Sequence, residues 1–383
     1  MTEPFTFDLR TRLVFGTGSS RQVGAQSHDL GFTKPLLVAD HGLLHAGHVD
    51  AVVGFLQTAG IDPVPFHEFD INPDTEMVQR GSDFARQQRI DSIIGLGGGS
   101  SLDCAKGINF ILTNGGTMAS YRGYGKALEP MLPMLALPTT AGTGSEAQSY
   151  AVIADSTTKM KMACGDPKAA FRVALLDPEL TLSQPKAVTA AAGFDALAHA
   201  VETAVTTRRT APSLLYSREA FRLLNDHIEI VLDSPDSIEA RGAMQLGAHY
   251  AGIAIEHSML GAAHACANPL TARYDIPHGT ALAILLPCVV RWNAEADPAL
   301  YRDLVSEAMP LRAATGDDFG DLLASRIVEI GSACGFPTQL RNVGVAYDDL
   351  GALAQEAGQQ WTGTFNPRPF GEPEALEVYR CAY

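Results

Sequence analysis

The chain has 383 residues, 46% of them hydrophobic and 19% charged, which excludes a disordered chain and sets an expectation of two domains. Its formal net charge of -15 repels nucleic-acid phosphates and anionic lipid, so neither nucleic acid nor a membrane is expected as a partner. The N-terminus lacks a basic stretch followed by an apolar core, and no apolar run approaches the ~20 residues that span a bilayer, so the cytoplasm is the expected location.

The first half alternates strand and helix signals. Residues 11–15 read as a short strand, with Ser19 then capping a helix. Pro35 to Asp40 is a buried-type strand ending in an acid, and a helix is expected from about Leu43 to Ala59. Residues 64–66 look like an edge strand, and Asp74 to Gln88 like a helix. Residues 90–96 form the next strand, followed at once by Gly97-Gly98-Gly99 and another helix, and residues 133–138 form a further strand. Strands alternating with helices indicate a parallel, doubly wound sheet.

After Pro185 the character changes. Residues 186–205, 213–225, 238–255 and 280–293 show helical spacing rich in Ala, Leu and Met, and strand signals nearly vanish. The run from Thr280 to Val290 is interrupted by Pro287 and reads as a buried helix end. The expected organisation is an α/β nucleotide-binding domain over residues 1–185 and an all-helical domain over residues 186–383. The 6 cysteines show no Cys-x-x-Cys spacing, which argues against a disulfide framework or a structural zinc site.

Four side chains in the second half carry metal chemistry. Asp195 and His199 are spaced to share one face of a helix, and His264 and His278 follow. One carboxylate with three imidazoles suits Fe(II) or Zn(II) better than Ca(II) or Mg(II), which prefer all-oxygen shells.

Two loops leave strand ends in the first half. Gly97-Gly98-Gly99-Ser100-Ser101 opens a helix, where backbone N–H groups approach a pyrophosphate; it reads equally as a tight turn with Ser100 as N-cap and Asp103 as its partner. Pro138-Thr139-Thr140-Ala141-Gly142-Thr143-Gly144-Ser145-Glu146 offers hydroxyls suited to phosphate, ribose or carboxamide, or else is an ordinary polar loop. Two such loops define one cleft at the strand ends. Asp40 can accept hydrogen bonds from an adenosine ribose and repel a 2′-phosphate, or serve as a helix N-cap.

Together these residues resemble the iron-containing, group III alcohol dehydrogenases, a family that includes lactaldehyde reductases and 1,3-propanediol dehydrogenases. The likeness runs from Leu13-Val14-Phe15-Gly16 to Asn366-Pro367-Arg368-Pro369. It implies that Asp195, His199, His264 and His278 are the metal ligands and the catalytic centre. It places Asp40, Asn72, Gly98, Gly99, Ser100, Thr139, Thr140, Thr143, Lys161 and Leu180 at cofactor-contacting positions. It further implies NAD as cofactor, Fe(II) or Zn(II) as metal, a homodimer or larger assembly, and hydride transfer between nicotinamide C4 and a small primary alcohol or aldehyde. A glycerol-dehydrogenase-like metalloenzyme and a non-catalytic nucleotide-binding sensor are the rival expectations.

Two positions depart from many relatives. Asn268 stands where a proton-relaying His is common, and an amide does not titrate near neutral pH. Tyr150 stands at a cofactor-side position where Asn is frequent. His249 and His257 are expected to be core or surface residues, Cys104 and Cys266 to be structural, and Arg122 to be a solvated loop residue. Phe194 either lines the pocket or packs.

Overall fold

Short, continuously apolar runs build the first half of the chain, because strands covered on both faces need no polar alternation. The computed structural model describes residues 4–69, 72–309 and 318–383. In chain order the strands are β1 (Arg12–Phe15), β2 (Pro35–Val38), β3 (Val64–Phe66), β4 (Ser92–Gly97), β5 (Gly123–Tyr124), β6 (Met134–Pro138), β7 (Tyr150–Ala154), β8 (Lys161–Gly165) and β9 (Val173–Leu176). Six of them form an all-parallel sheet in the order β1-β9-β6-β4-β2-β3. Every residue of β2, β4, β6 and β9 is buried.

The helices of this half are α1 (Val23–Asp29), α2 (His41–His45), α3 (His48–Thr58), α4 (Thr75–Gln88) and α5 (Gly99–Asn114). One face of the sheet sends Leu37, Ile94, Leu96, Leu135, Leu137 and Leu175 into a core shared with Val23, Val52 and Leu56. On the other face, a Cβ at Gly95 would sit 2.9 Å from Leu102 Cδ2, so α5 lies close over β4. A second sheet, in the order β5-β8-β7, pairs β8 parallel to β5 and antiparallel to β7.

Helices fill the rest: α6 (Lys186–Thr203), α7 (Ala211–Asp233), α8 (Ile238–Ser258), α9 (Ala262–Tyr274), α10 (His278–Ala296) and α11 (Arg302–Ala308), then Phe319–Ala333, Leu350–Ala357 and Glu372–Ala382. Among the described residues this part holds no strand. Contacts divide the chain into a unit spanning Asp8–Gln184 and a helical unit beginning at Pro185. Residues 4–7 belong with the helical unit, where the Phe7 ring lies 4.1 Å from that of His257 and 5.8 Å from that of Tyr216. Among the described residues no helix is long and apolar enough to cross a membrane.

Several local expectations change. The helix expected over residues 43–59 is two helices, broken at Gly47, whose φ of 79° is left-handed. Ser19 is no N-cap: Gly18 precedes the turn, and Ser19 Oγ donates to the Leu176 carbonyl. Ser100 is no N-cap either, because Gly98 takes that place and α5 starts at Gly99. Pro287 does not end its helix; α10 continues to Ala296 because Leu285, Leu286, Val289 and Val290 are all buried around it. Strands β5, β7, β8 and β9 and helix α9 were not expected, being short or lacking a clean period. The cysteines also need correction. Cys288 of α10 and Cys381 of the last helix are joined by a disulfide with Cα atoms 6.0 Å apart, a pairing across 93 residues that local spacing does not reveal.

Candidate metal centre and cofactor loops

Helix α6 is buried almost all round, as an Ala-rich helix packed among α7, α8 and α10 must be. Four residues of spacing bring Asp195 and His199 to one face, with His199 Nε2 3.3 Å from Asp195 Oδ1. Helix α9 adds His264, whose Nε2 lies 3.5 Å from the same oxygen. Helix α10 adds His278 at its first position, with Nε2 3.9 Å from Asp195 Oδ1. A glycine sets this last approach: a Cβ at Gly279 would fall 2.2 Å from the Ala191 carbonyl oxygen of α6.

Three imidazole nitrogens thus converge on one carboxylate oxygen. Donor atoms bonded at about 2.0–2.2 Å around a tetrahedral ion lie roughly 3.3–3.6 Å apart. Asp195, His199 and His264 form the tight part of the cluster and are all buried. His278 stands slightly outside, with its side chain 24% exposed, and forms the open side. Asp195 Oδ1 and His264 Nε2 are buried without a hydrogen-bond partner, an arrangement that costs free energy unless something else satisfies them. The donor set and these two atoms fit a borderline divalent ion.

The electrostatics agree. Burial would raise the Asp195 carboxyl, yet His199 first, then His264 and His278, hold it well below the usual carboxylate range. Burial opposes charge on His264, but Glu202 and Asp195 outweigh it and lift the imidazole to about 9. His264 Nδ1 bonds to Glu202 Oε2, and Glu202 Oε1 accepts from the Ala263 N–H at 2.7 Å.

In the α/β unit, the two loops pack on each other. A Cβ at Gly99 would meet Thr143 Cγ2 at 2.6 Å, and one at Gly98 would meet Thr140 Cγ2 at 3.1 Å. The Thr139 N–H donates to the Gly97 carbonyl at 3.1 Å, and Ser100 Oγ accepts from the Asn72 N–H at 3.1 Å. Helix α5 therefore presents its first amides beside three threonines, with no acid in its first turn. That end suits an anion such as a pyrophosphate. Asp40 caps α2 by accepting from the Leu43 N–H at 3.2 Å, and its other oxygen accepts from Ser101 Oγ at 3.1 Å. Lys161 starts β8 in the small sheet, and Leu180 is buried in the sheet core.

Lys106 was missed by sequence reasoning. Fully buried on α5, its Nζ donates to the Ser145 carbonyl at 2.7 Å, to Ser145 Oγ at 2.9 Å and to the Tyr150 carbonyl at 2.7 Å. Asp103 lies 3.9 Å from Nζ and accepts from Ser145 Oγ at 2.6 Å and from the Val152 N–H at 3.1 Å. This charged hub ties α5 to the threonine loop and to β7. The signal was present as a lysine three residues after an acid in an apolar helix. Glu202 was missed too, although it shares the helix face of Asp195 and His199.

The secondary candidates fall outside the metal cluster. His249 is buried on α8 and His257 stacks on Phe7. Burial pushes the Cys104 and Cys266 thiols far up, which leaves them unreactive. Phe194 is fully buried against Phe336, Arg122 is exposed, and the Tyr150 ring packs 5.5 Å from that of Tyr124. Asn268 is half-buried, and its Nδ2 donates to Gln360 Oε1 at 3.2 Å.

Comparison with known proteins gives one consistent answer. The family profile described as iron-containing alcohol dehydrogenase matches residues 10–178, and its C-terminal counterpart, the Fe-containing alcohol dehydrogenase family, matches residues 189–383. The chain is 34% identical over 373 residues to 1,3-propanediol dehydrogenase of Citrobacter freundii, covering 96% of each protein. It is 31% identical over 377 residues to the NAD-dependent methanol dehydrogenase of Bacillus methanolicus, covering 96% of this chain and 97% of that one. Among solved structures, the alcohol dehydrogenase from Oenococcus oeni matches with a TM-score of 0.95 at 29% identity, covering 99% of this chain and 100% of that one.

Proposed function

The chain belongs to the iron-containing alcohol dehydrogenase family, and on that premise we propose that it interconverts a small primary alcohol and its aldehyde with NAD, using one Fe(II) or Zn(II) ion held by Asp195, His199, His264 and His278. The observation that carries this reading is the convergence of three imidazole nitrogens on a buried carboxylate oxygen with no hydrogen-bond partner. The ion supplies Lewis acidity toward the substrate oxygen, and NAD supplies a hydride acceptor at nicotinamide C4.

The chain's own residues do the rest. Asp195 contributes the negative charge of the donor set, and the imidazoles supply neutral nitrogen donors. His278, on the open side, leaves room for a substrate. The first amides of α5 at Gly98 and Gly99 bind the pyrophosphate, with the hydroxyls of Thr139, Thr140 and Thr143 beside them. Ser100 holds Asn72 against this end. Lys161 and, from within the sheet core, Leu180 are the remaining cofactor-side positions, and Asp40 selects NAD by repelling a 2′-phosphate. An NADH-linked assay of the metal-loaded protein across short alcohols, diols and aldehydes checks the reading; a protein with full metal content that turns over none of them contradicts it.

Cofactor choice provides a second expectation. Asp40 both caps α2 and carries the charge, so its two roles need separate substitutions. Asp40→Asn keeps a good N-cap but loses the charge, and Asp40→Gly loses both side-chain roles. Both variants are expected to narrow or reverse the ratio of kcat/KM for NAD over NADP. Equal use of the two cofactors by the unsubstituted protein is the result against this role.

Asn268 gives a smaller effect. Its amide holds no titratable proton and is engaged with Gln360. Asn268→Ala is expected to cost less than about tenfold in kcat, well below the ~10²–10⁴-fold typical of a general acid–base residue. A loss above a thousandfold with metal and cofactor still bound would assign Asn268 a direct part in the reaction.

A further inference from the structure

Glu202 lies one turn beyond His199 on α6, buried to 3% exposure. A buried carboxylate is costly unless its charge and lone pairs are matched. Here both oxygens are used, and both reach the start of α9. Oε1 accepts from the Ala263 N–H at 2.7 Å, and Oε2 takes the hydrogen bond of His264 Nδ1. The backbone at this point is fitted to the carboxylate: a Cβ at Gly261 would sit 3.0 Å from Glu202 Oε1 and 3.0 Å from Asn366 Oδ1. Asn366 Oδ1 accepts from the Ala262 N–H at 3.3 Å, and its Nδ2 donates to Asn293 Oδ1 at 2.8 Å. The contact is therefore a built junction between α6 and α9.

We propose that Glu202 is a positioning residue for the metal centre, holding His264 in the tautomer and orientation that present Nε2 to the ion. The inference rests on the reading that Asp195, His199, His264 and His278 bind a metal. With Nδ1 donating to Glu202 Oε2, the neutral ring that a metal takes carries its one proton on Nδ1 and offers the lone pair of Nε2. That Nε2 is the buried, unpartnered atom 3.5 Å from Asp195 Oδ1. Glu202 also places a second buried carboxylate next to the donor set that Asp195 begins. Partners of this kind fix ring orientation and raise ligand basicity.

Glu202→Gln separates this role from simple packing, because glutamine has nearly the same volume but one acceptor oxygen. If that oxygen serves His264, an amide NH₂ faces the Ala263 N–H. If it serves Ala263, the NH₂ faces His264 Nδ1 and favours the tautomer whose Nε2 carries the proton. Zn(II) affinity, measured by competition with a chromophoric chelator, is expected to fall by about 10–100-fold in Glu202→Gln. In the unsubstituted Zn(II) protein labelled with ¹⁵N-histidine, His264 is expected to show a proton on Nδ1 that exchanges slowly with solvent. The labelled measurement needs no variant and decides the matter even if Glu202→Gln fails to fold. An unprotonated Nδ1, or a folded Glu202→Gln protein that binds Zn(II) within about twofold of the parent, overturns the inference and leaves the metal reading standing. Unsubstituted protein that takes up no Zn(II) overturns the metal reading and the inference with it.

Discussion

Replacing His264 with alanine is expected to remove the bound metal and lower turnover by roughly a thousandfold. Lewis-acid stabilisation of developing charge is worth several kcal/mol, and each ~1.4 kcal/mol is a factor of ten in rate. His264 is one of three residues in the tight part of the cluster and is held there by a second carboxylate, Glu202. Its removal also leaves Glu202 buried beside the Ala263 N–H alone, so some loss of stability accompanies the loss of metal. His278→Ala provides the cleaner companion. Its side chain is 24% exposed, and it is expected to lose metal and turnover with little change in melting temperature. Metal content and kcat measured on the same preparations check both; near-native activity with full metal content in either variant would show that the ion is held elsewhere.

The second large effect is on stability. Lys106→Met is expected to destabilise the α/β unit by ~3–5 kcal/mol, the usual cost of removing one partner of a buried charge pair. The three acceptors that Nζ satisfies, two carbonyls and a hydroxyl, lose their donor together, and Asp103 loses the nearby cation that offsets its burial. Burial already raises the Asp103 carboxyl, with Lys106 the first of the groups that offset it, so the variant is expected to hold Asp103 protonated. Since Ser145 belongs to the threonine loop, NAD binding should weaken as well. Denaturant unfolding and NAD titration of the variant read these effects separately, and a loss below ~1 kcal/mol would show that the hub adds little.

How much of this was legible depended on periodicity. Asp195 and His199 announce their shared face because helical spacing converts directly into proximity, and Glu202 lies on that same face. It was passed over because a lone glutamate at a helix end has many ordinary explanations, and only the fold brings His264 to it. The glycine loop was legible as a turn, but the close fit of Gly99 against Thr143 was not, since it depends on two strands being neighbours in the sheet. Strand β9 escaped notice because it is only four residues long, although Asp177-Pro178 marks its end and it fills the sheet between β1 and β6. The split between α2 and α3 needed the left-handed Gly47, which sequence alone allows but does not require. The bond between Cys288 and Cys381 follows from the packing of two helices far apart in sequence, which no local spacing encodes. Lys106 is the sharpest omission, because a lysine in an apolar helix asks for buried acceptors, and these come from a loop and a strand beyond the helix.

The most direct measurement of the central claim is an anaerobic titration of metal-stripped protein with Fe(II), following NADH formed from a short primary alcohol. The rate is expected to rise from near zero and level off at one ion per chain, with no rise in His278→Ala. Full NAD-linked turnover before any metal is added, or an equal response in His278→Ala, would contradict the account.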